Sequence, residues 1–199
     1  MRKLLLFLVP AGAMAQVICA LGPGTSSYQP GQDQRPAGDA MQLASRVSAA
    51  EKTLCGSNCP EIALLRNPTA PNVALILDSG RARLVYSPQF FASVYSAFGD
   101  PGIVALLAHE AGHALDDAMG ARWINSKWPP EIRADSWAGC LLAKSDLKPI
   151  DLHPALRAMV KSPPALQPAA WNVRVPAIRI GYTHCGGNPE NFDRAASLK

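Results

Sequence analysis

Two histidines one helical turn apart are the residues of this 199-residue chain best suited to chemistry, within the segment HEAGH at positions 109–113. A separation of four residues places His109 and His113 on one face of a helix. Two imidazoles so placed can bind one zinc ion, and Glu110 between them can reach a water molecule beside the metal. The motif therefore predicts a zinc-dependent hydrolase, in the first place a peptidase.

The residues around the motif predict the helix that it requires. Asp100 is a candidate N-cap, Pro101 and Gly102 mark a start, and Gly120 marks a stop. Apolar residues recur at helical spacing: Ile103, Leu106, Leu107, Ala111, Ala114 and Leu115. The alternative is a buried helix with two hydrogen-bonded histidines, which would leave Glu110 without a role in an apolar stretch.

A third metal ligand is expected on the next helix. The chain lacks the histidine six residues after the motif that one class of zinc peptidases requires. Pro129 and Pro130 begin a second helical pattern, in which Glu131 precedes Asp135 by one turn. Glu131 could complete a His-His-Glu site, and Asp135 could accept a hydrogen bond from a zinc histidine. Glu131 could instead be a first-turn carboxylate stabilised by the helix dipole, but the nearby zinc motif favours the ligand.

The order HEAGH then EIRAD resembles the gluzincin peptidases, in which H-E-x-x-H is followed by E-x-x-x-D on the next helix. More narrowly, the pattern E-x-x-A-D-x-x-A-G is similar to that of bacterial HtpX-like and neutral zinc metallopeptidases, over roughly residues 60 to 185. The resemblance implies a zincin-like fold, one Zn²⁺ ion and a polypeptide substrate. It assigns His109, His113 and Glu131 as the metal ligands. It makes Glu110 the general base and Asp135 the hydrogen-bond partner of His109.

The group that would stabilise the oxyanion is left unassigned among four candidates, His153, His184, Tyr182 and Arg174. Related enzymes have a late R-x-x-x-x-x-x-G-Y segment, matched here by Arg174, Gly181 and Tyr182. They also carry a His-Pro pair shortly before that arginine, whereas His153 and its proline lie much further upstream. The alternative for each histidine is an ordinary loop residue.

The N-terminus predicts an exported protein. Residues 1–15 combine two basic residues, a short apolar core and an A-x-A cleavage site ending at Ala15, so the mature chain is expected to start at Gln16. Cleavage after Ala20 is the alternative. The apolar run is too short for a good membrane span, so none is expected after cleavage, and the localisation expected is periplasmic or secreted.

The cysteines predict two disulfides in an oxidising compartment. The preferred pairs are Cys55–Cys59 and Cys140–Cys185, although four cysteines allow three arrangements. Cys-x-x-x-Cys could also belong to a metal site, but no second thiol or histidine pair lies nearby in the sequence. Cys19 is left over; the isoleucine before it is atypical of a lipoprotein anchor.

Composition and charge predict one domain that does not bind nucleic acid. Removing Arg2 and Lys3 with the signal changes the formal net charge from +4 to 17 − 15 = +2, which provides no basic stripe. The expected organisation is a flexible leader over 16–38, a metallopeptidase domain over 39–190 and a tail over 191–199.

The hydropathy pattern predicts an α+β fold, mainly helical with a small β-hairpin beside the active-site helix. The hairpin is expected over 72–86 with a turn at 78–80, and its second strand is expected to be half-solvated. Further helices are expected over 39–54, from Ser87, over 154–160 and over 171–182. In the gluzincin fold that the chain resembles, a strand here pairs with extended substrate; an ordinary edge strand is the alternative.

Two other functions remain open at this level. The domain could be a latent or non-catalytic envelope assembly or chaperone factor with a zinc-stabilised fold, although a structural zinc site does not need a general base. It could also hydrolyse a non-peptide amide such as cell-wall material, although the sequence contains no recognition module or repeat.

Overall fold

The computed structural model describes residues 16–21, 28–70, 72–78, 81–163 and 170–197. Four strands and six α-helices are found in these ranges. In chain order they are β1 (Gln16–Leu21), α1 (Gly38–Cys55), β2 (Ile62–Arg66), β3 (Val73–Asp78), β4 (Arg81–Tyr86), α2 (Pro88–Met119), α3 (Pro130–Lys144), α4 (Leu152–Lys161), α5 (Trp171–His184) and α6 (Pro189–Ser197). The expected mainly helical α+β class is confirmed.

The strands form one sheet in the order β1-β3-β4-β2. β3 and β4 are the expected antiparallel hairpin, with Leu75 opposite Leu84; the expected turn residues 79 and 80 lie outside the described residues. β1 adds antiparallel to the outer edge of β3, and β2 adds parallel to β4. Both hairpin strands are therefore internal, and neither is the ordinary edge strand considered from sequence.

The face of the sheet that was expected to be solvated is more deeply buried than the alternation of residue types in β4 predicted. Val85, expected on the solvated face, is fully buried, and so is Ile76 of β3. These two side chains pack in a small cluster with Ala70 and Ala74, against the partly buried Tyr28 and Leu65. Residues that precede α1 thus help to cover the outer face of the sheet.

The flexible leader expected over 16–38 is structured in both of its described parts, 16–21 and 28–37. Residues 16–21 form β1, and polar contacts hold the second part in place. Asp33 accepts hydrogen bonds from Tyr28 Oη, Asn67 Nδ2 and Arg83 Nη1 at 2.8–3.1 Å. The composition of this segment suggested flexibility because it has few large apolar residues, but the partly buried carboxylate of Asp33 supplies the attachment instead.

The expected tail over 191–199 also differs from the structure, because residues up to Ser197 belong to α6. Phe192 is fully buried and packs near the ring of Tyr182. The folded domain therefore extends past position 190.

α2 is two helices joined at a kink. Gly99 has φ of 63°, a left-handed conformation that favours glycine, and Pro101 begins the second half. The second half ends at Gly120, as expected. α2 is long and apolar enough to cross a membrane by length and composition, but its buried residues lie in the core of this domain and include the motif itself.

The backbones of α3 and α5 pack in close contact. Gly139 of α3 faces the backbone of Ile178, and Gly181 of α5 faces the backbone of Ser136, with no room for a side chain at either glycine. The Cys140–Cys185 disulfide joins α3 to the residue that follows α5, and Cys55–Cys59 closes the end of α1. Both expected disulfides are confirmed.

Candidate metal centre

The second half of α2 carries the motif through the centre of the protein. His109 and Glu110 are fully buried, and His113 is 5% exposed. The two imidazole rings lie 5.1 Å apart, centroid to centroid, in an edge-on arrangement. The helical spacing therefore places both histidines together, as expected, among buried residues.

Gly112, inside the motif, allows α3 to approach this face of α2. A Cβ atom at this position would lie 2.6 Å from the carbonyl oxygen of Ala134 and 3.0 Å from the Cβ of Trp137. Any side chain here would therefore push the backbones of the two helices apart. The glycine is what allows the carboxylates of α3 to reach the histidines of α2.

The three expected ligand residues form one cluster. Glu131 Oε2 lies 3.1 Å from His109 Nε2 and 3.4 Å from His113 Nε2. One candidate ligand atom from each residue lies within 4.8 Å of the other two, and all three residues are buried. This cluster could hold a metal ion.

The donor set fits a cation better than it fits a closed hydrogen-bond network. His113 Nε2 is buried and has no partner with hydrogen-bond geometry among the described residues, despite its 3.4 Å separation from Glu131. A buried nitrogen without a partner carries a free-energy cost that a coordinated ion would remove. Two imidazoles and one carboxylate are a ligand set that zinc accepts.

Asp135 orients the first histidine. Its Oδ1 lies 2.9 Å from His109 Nδ1, which leaves the Nε2 atom of His109 facing Glu131. A hydrogen bond at the remote ring nitrogen fixes the tautomer and orientation of a metal-binding histidine. Asp135 thus occupies the place expected from the sequence.

Arg174, from α5, holds Asp135 in turn. Its Nε and Nη2 donate to the two carboxylate oxygens of Asp135, each at 2.8 Å, and its Nη1 donates to the carbonyl oxygen of Met159 at 2.9 Å. All three guanidinium nitrogens are therefore engaged, and the residue is 1% exposed. This geometry differs from the oxyanion role considered for Arg174 and gives it a positioning role.

The charges of the site are strongly coupled. Burial opposes the charged form of His109, but hydrogen bonds with Asp135 and Glu131 outweigh it and raise the pKa to about 9. Burial lowers the pKa of His113. Burial alone would raise the carboxyl pKa of Glu131, but the ring nitrogens of the two histidines beside it hold that pKa well below its usual range. The carboxylate of Glu131 is thus anionic at neutral pH.

A hydrogen bond from the sheet holds the carboxylate of Glu110. Its Oε2 accepts a hydrogen bond from the backbone N–H of Leu75 in β3 at 2.9 Å, and both residues are buried. The contact places the central strand β3 directly against the carboxylate of the motif. Nothing in the sequence pattern indicated this partner, because it is a main-chain group.

The described contacts of the three remaining oxyanion candidates are with residues outside this cluster. His153 Nδ1 is 3.1 Å from the carbonyl oxygen of Ala195, and this contact ties α4 to α6. His184 stacks on Trp123 with ring centroids 4.5 Å apart. Tyr182 is buried beside Phe192, and burial raises its pKa. The described contacts bring none of the three to the metal cluster.

The positioning residues belong to recognisable sequence motifs, but the sequence does not show what they contact. Arg174 and Gly181 belong to the late R-x-x-x-x-x-x-G-Y segment, and Gly139 ends the pattern that begins at Glu131. The structure relates them: the close contact at Gly139 and Gly181 brings α5 against α3, where Arg174 meets Asp135.

Comparisons of the chain with protein-family models, with curated proteins and with solved structures found no match.

Proposed function

We propose that the protein is an exported zinc metalloendopeptidase of the gluzincin type, similar to HtpX-like peptidases. One observation carries the proposal. A buried glutamate, Glu110, lies between two histidines whose ring nitrogens meet a third ligand candidate, Glu131. A hydrolase needs this combination, whereas a purely structural metal site needs only the ligands.

One zinc ion would be held by His109 Nε2, His113 Nε2 and the carboxylate of Glu131. Bound there, it would supply Lewis-acid polarisation of the scissile carbonyl and acidify a water molecule. Asp135 and Arg174 would keep His109 in the tautomer that presents Nε2.

Glu110 would serve as the general base. Its carboxylate takes a proton from the attacking water and transfers it to the leaving nitrogen of the peptide. The Leu75 N–H bond to Oε2 fixes the orientation of the carboxylate before substrate arrives. A fixed base avoids the cost of reorganising during the reaction.

The ligand count supports a catalytic site over a structural one. Structural zinc sites are closed by four protein ligands, whereas catalytic sites keep one position for water or substrate. Among the side chains that the structure describes, the cluster has three members. The two disulfides further support an oxidising, extracytoplasmic location.

Two variants test the proposal with unfolded casein as substrate and zinc content as a second measurement. Glu110→Gln should lower the cleavage rate by a factor of about 100 to 10,000 while zinc remains bound. Glu131→Ala should weaken zinc binding by more than the factor of about 10–100 typical of outer-shell partners. Glu190→Gln, at an exposed position of α6, is the matched control. Full cleavage by Glu110→Gln would refute the mechanism, and unchanged zinc affinity in Glu131→Ala would remove that residue from the ligands.

A further inference from the structure

The outer edge of β3 is covered by the N-terminal strand of the same chain. β1 runs antiparallel to β3, with Val17 opposite Ile76 and Cys19 opposite Leu75. The register is irregular between Val17 and Cys19, because β1 advances by two residues there while β3 advances by one. α2 also contacts β1.

The irregularity lies next to the proposed general base. Leu75, the partner of Cys19, donates its backbone N–H to Glu110 Oε2. The pairing of β1 with β3 is thus irregular at the residue of β3 whose N–H is bonded to the carboxylate of Glu110. On both sides of that point β1 is paired with β3 as extended backbone.

A peptidase that uses Glu110 as its base must also bind an extended polypeptide, its substrate, beside Glu110. An exposed strand edge binds an extended peptide through main-chain hydrogen bonds, which allows many sequences to bind. β3 is the strand whose backbone touches Glu110, so its outer edge is where a substrate would align with the base. β1 occupies that edge.

We propose that residues 16–21 block the peptide-binding edge of β3, so that a chain retaining β1 is latent and a chain lacking it is open. This rests on the proposed peptidase function. The two cleavage positions expected from the sequence lie on opposite sides of the strand: cleavage after Ala15 retains all of β1, and cleavage after Ala20 removes all of it except Leu21. The choice of cleavage site would set the state of the enzyme.

The test measures peptide binding separately from catalysis. Chains beginning at Gln16 and at Gly22 are prepared in the Glu110→Gln background, in which Gln can still accept the Leu75 hydrogen bond. The probe is a fluorescein-labelled peptide of residues 16–21 with serine in place of Cys19, followed by fluorescence anisotropy. The Gly22 chain should bind it at least about tenfold more tightly than the Gln16 chain, and unfolded casein should displace it. Equal affinities, or no displacement by casein, would overturn the proposal.

A second pair of variants covers the case in which the Gly22 chain does not fold. Val17→Pro with Ala20→Pro, in the chain that starts at Gln16, removes two N–H donors from β1 and leaves the rest of the chain intact. Val17→Ala with Ala20→Ser keeps both donors and is the control. Only the proline pair should gain probe binding; an equal response of the two pairs would refute backbone blocking.

The same chains with Glu110 restored distinguish this proposal from the peptidase function. Faster casein cleavage by the Gly22 chain and the proline pair than by the Gln16 chain is expected. If the open chains gain probe binding but no chain cleaves casein, the peptidase function is contradicted. The proposal that β1 blocks the edge of β3 would still hold. If all chains cleave casein at the same rate, only the proposal that β1 blocks the edge of β3 is contradicted.

Discussion

The guanidinium of Arg174 and the carboxylate of Asp135 form a two-point buried ion pair, with N···O distances of 2.8 Å and almost no exposure of either side chain. Through Oδ1 of Asp135 this pair continues to His109 Nδ1 at 2.9 Å. Since Arg174 comes from α5 and His109 from α2, the orientation of a ligand candidate depends on the packing of three helices. Changes far from the metal cluster should therefore alter metal binding.

Replacing Arg174 by Met should weaken metal binding without touching a ligand. Asp135 would become a buried charge without its guanidinium, at a cost of about 3–5 kcal/mol of folding free energy, and its hold on His109 would loosen. Zinc affinity should fall about 10–100-fold, measured by competition with a chromophoric chelator. Arg179→Met, which breaks the exposed pair with Asp193, should change neither quantity measurably. If both variants bind zinc like the parent protein, Arg174 has no positioning role.

Gly112→Ala should separate α2 from α3. The added methyl group would meet the carbonyl oxygen of Ala134 at 2.6 Å, a backbone atom that can move only with its helix. We expect a loss of about 1–3 kcal/mol in unfolding free energy and a clear fall in zinc affinity, because Glu131 moves with α3. Gly38→Ala is the control, since a Cβ there meets nothing within 4 Å. Retained zinc affinity with lowered stability would show that the helices adjust without displacing the ligand.

Glu51 should make the protein less stable as the pH rises. This residue of α1 is 5% exposed, and burial raises its pKa from 4.5 to about 7, partly offset by a hydrogen bond with Ser48. The folded state thus holds a proton that the unfolded state releases, so the stabilisation is complete below pH 4.5 and is lost as the pH rises through 7. The loss between pH 5 and pH 8 is at most about 2.5 kcal/mol.

Urea unfolding at those two pH values measures this effect. In Glu51→Gln the pH-dependent loss should shrink, because the amide does not titrate. Glu61→Gln, at an exposed position, is the matched control and should behave like the parent protein. An unchanged pH dependence in Glu51→Gln would assign the effect to other groups.

The two disulfides should contribute unequally to stability. Cys140–Cys185 has a sequence separation of 45 residues, and Cys55–Cys59 has a separation of 4. Loop-closure entropy predicts losses of about 4 and about 2 kcal/mol, respectively, when each pair is replaced by alanines. Urea unfolding of the two double variants measures the difference. Equal losses would mean that strain or residual structure, rather than loop length, sets the contributions.

The local features of the site could be predicted from sequence because their geometry is that of a single helix. The spacing of His109 and His113 places both on one face of α2, and the spacing of Glu131 and Asp135 does the same on α3. The hairpin and the two disulfide pairs were likewise predicted, since alternation and short spacers are local signals. Two predictions that relied on composition, the leader and the tail, differ from the structure because Asp33 and Phe192 attach those segments through specific contacts.

The sequence by itself determined which side chains can act on a metal and a water molecule, because residue type and helical spacing are properties of the chain alone. Only the tertiary structure decided which groups support them. Arg174 meets Asp135 because two glycines let α3 and α5 touch, and Leu75 meets Glu110 through a backbone N–H that has no residue-specific signal. The position of β1 against β3 is of the same kind, since main-chain pairing between strands more than fifty residues apart depends on how the whole domain packs.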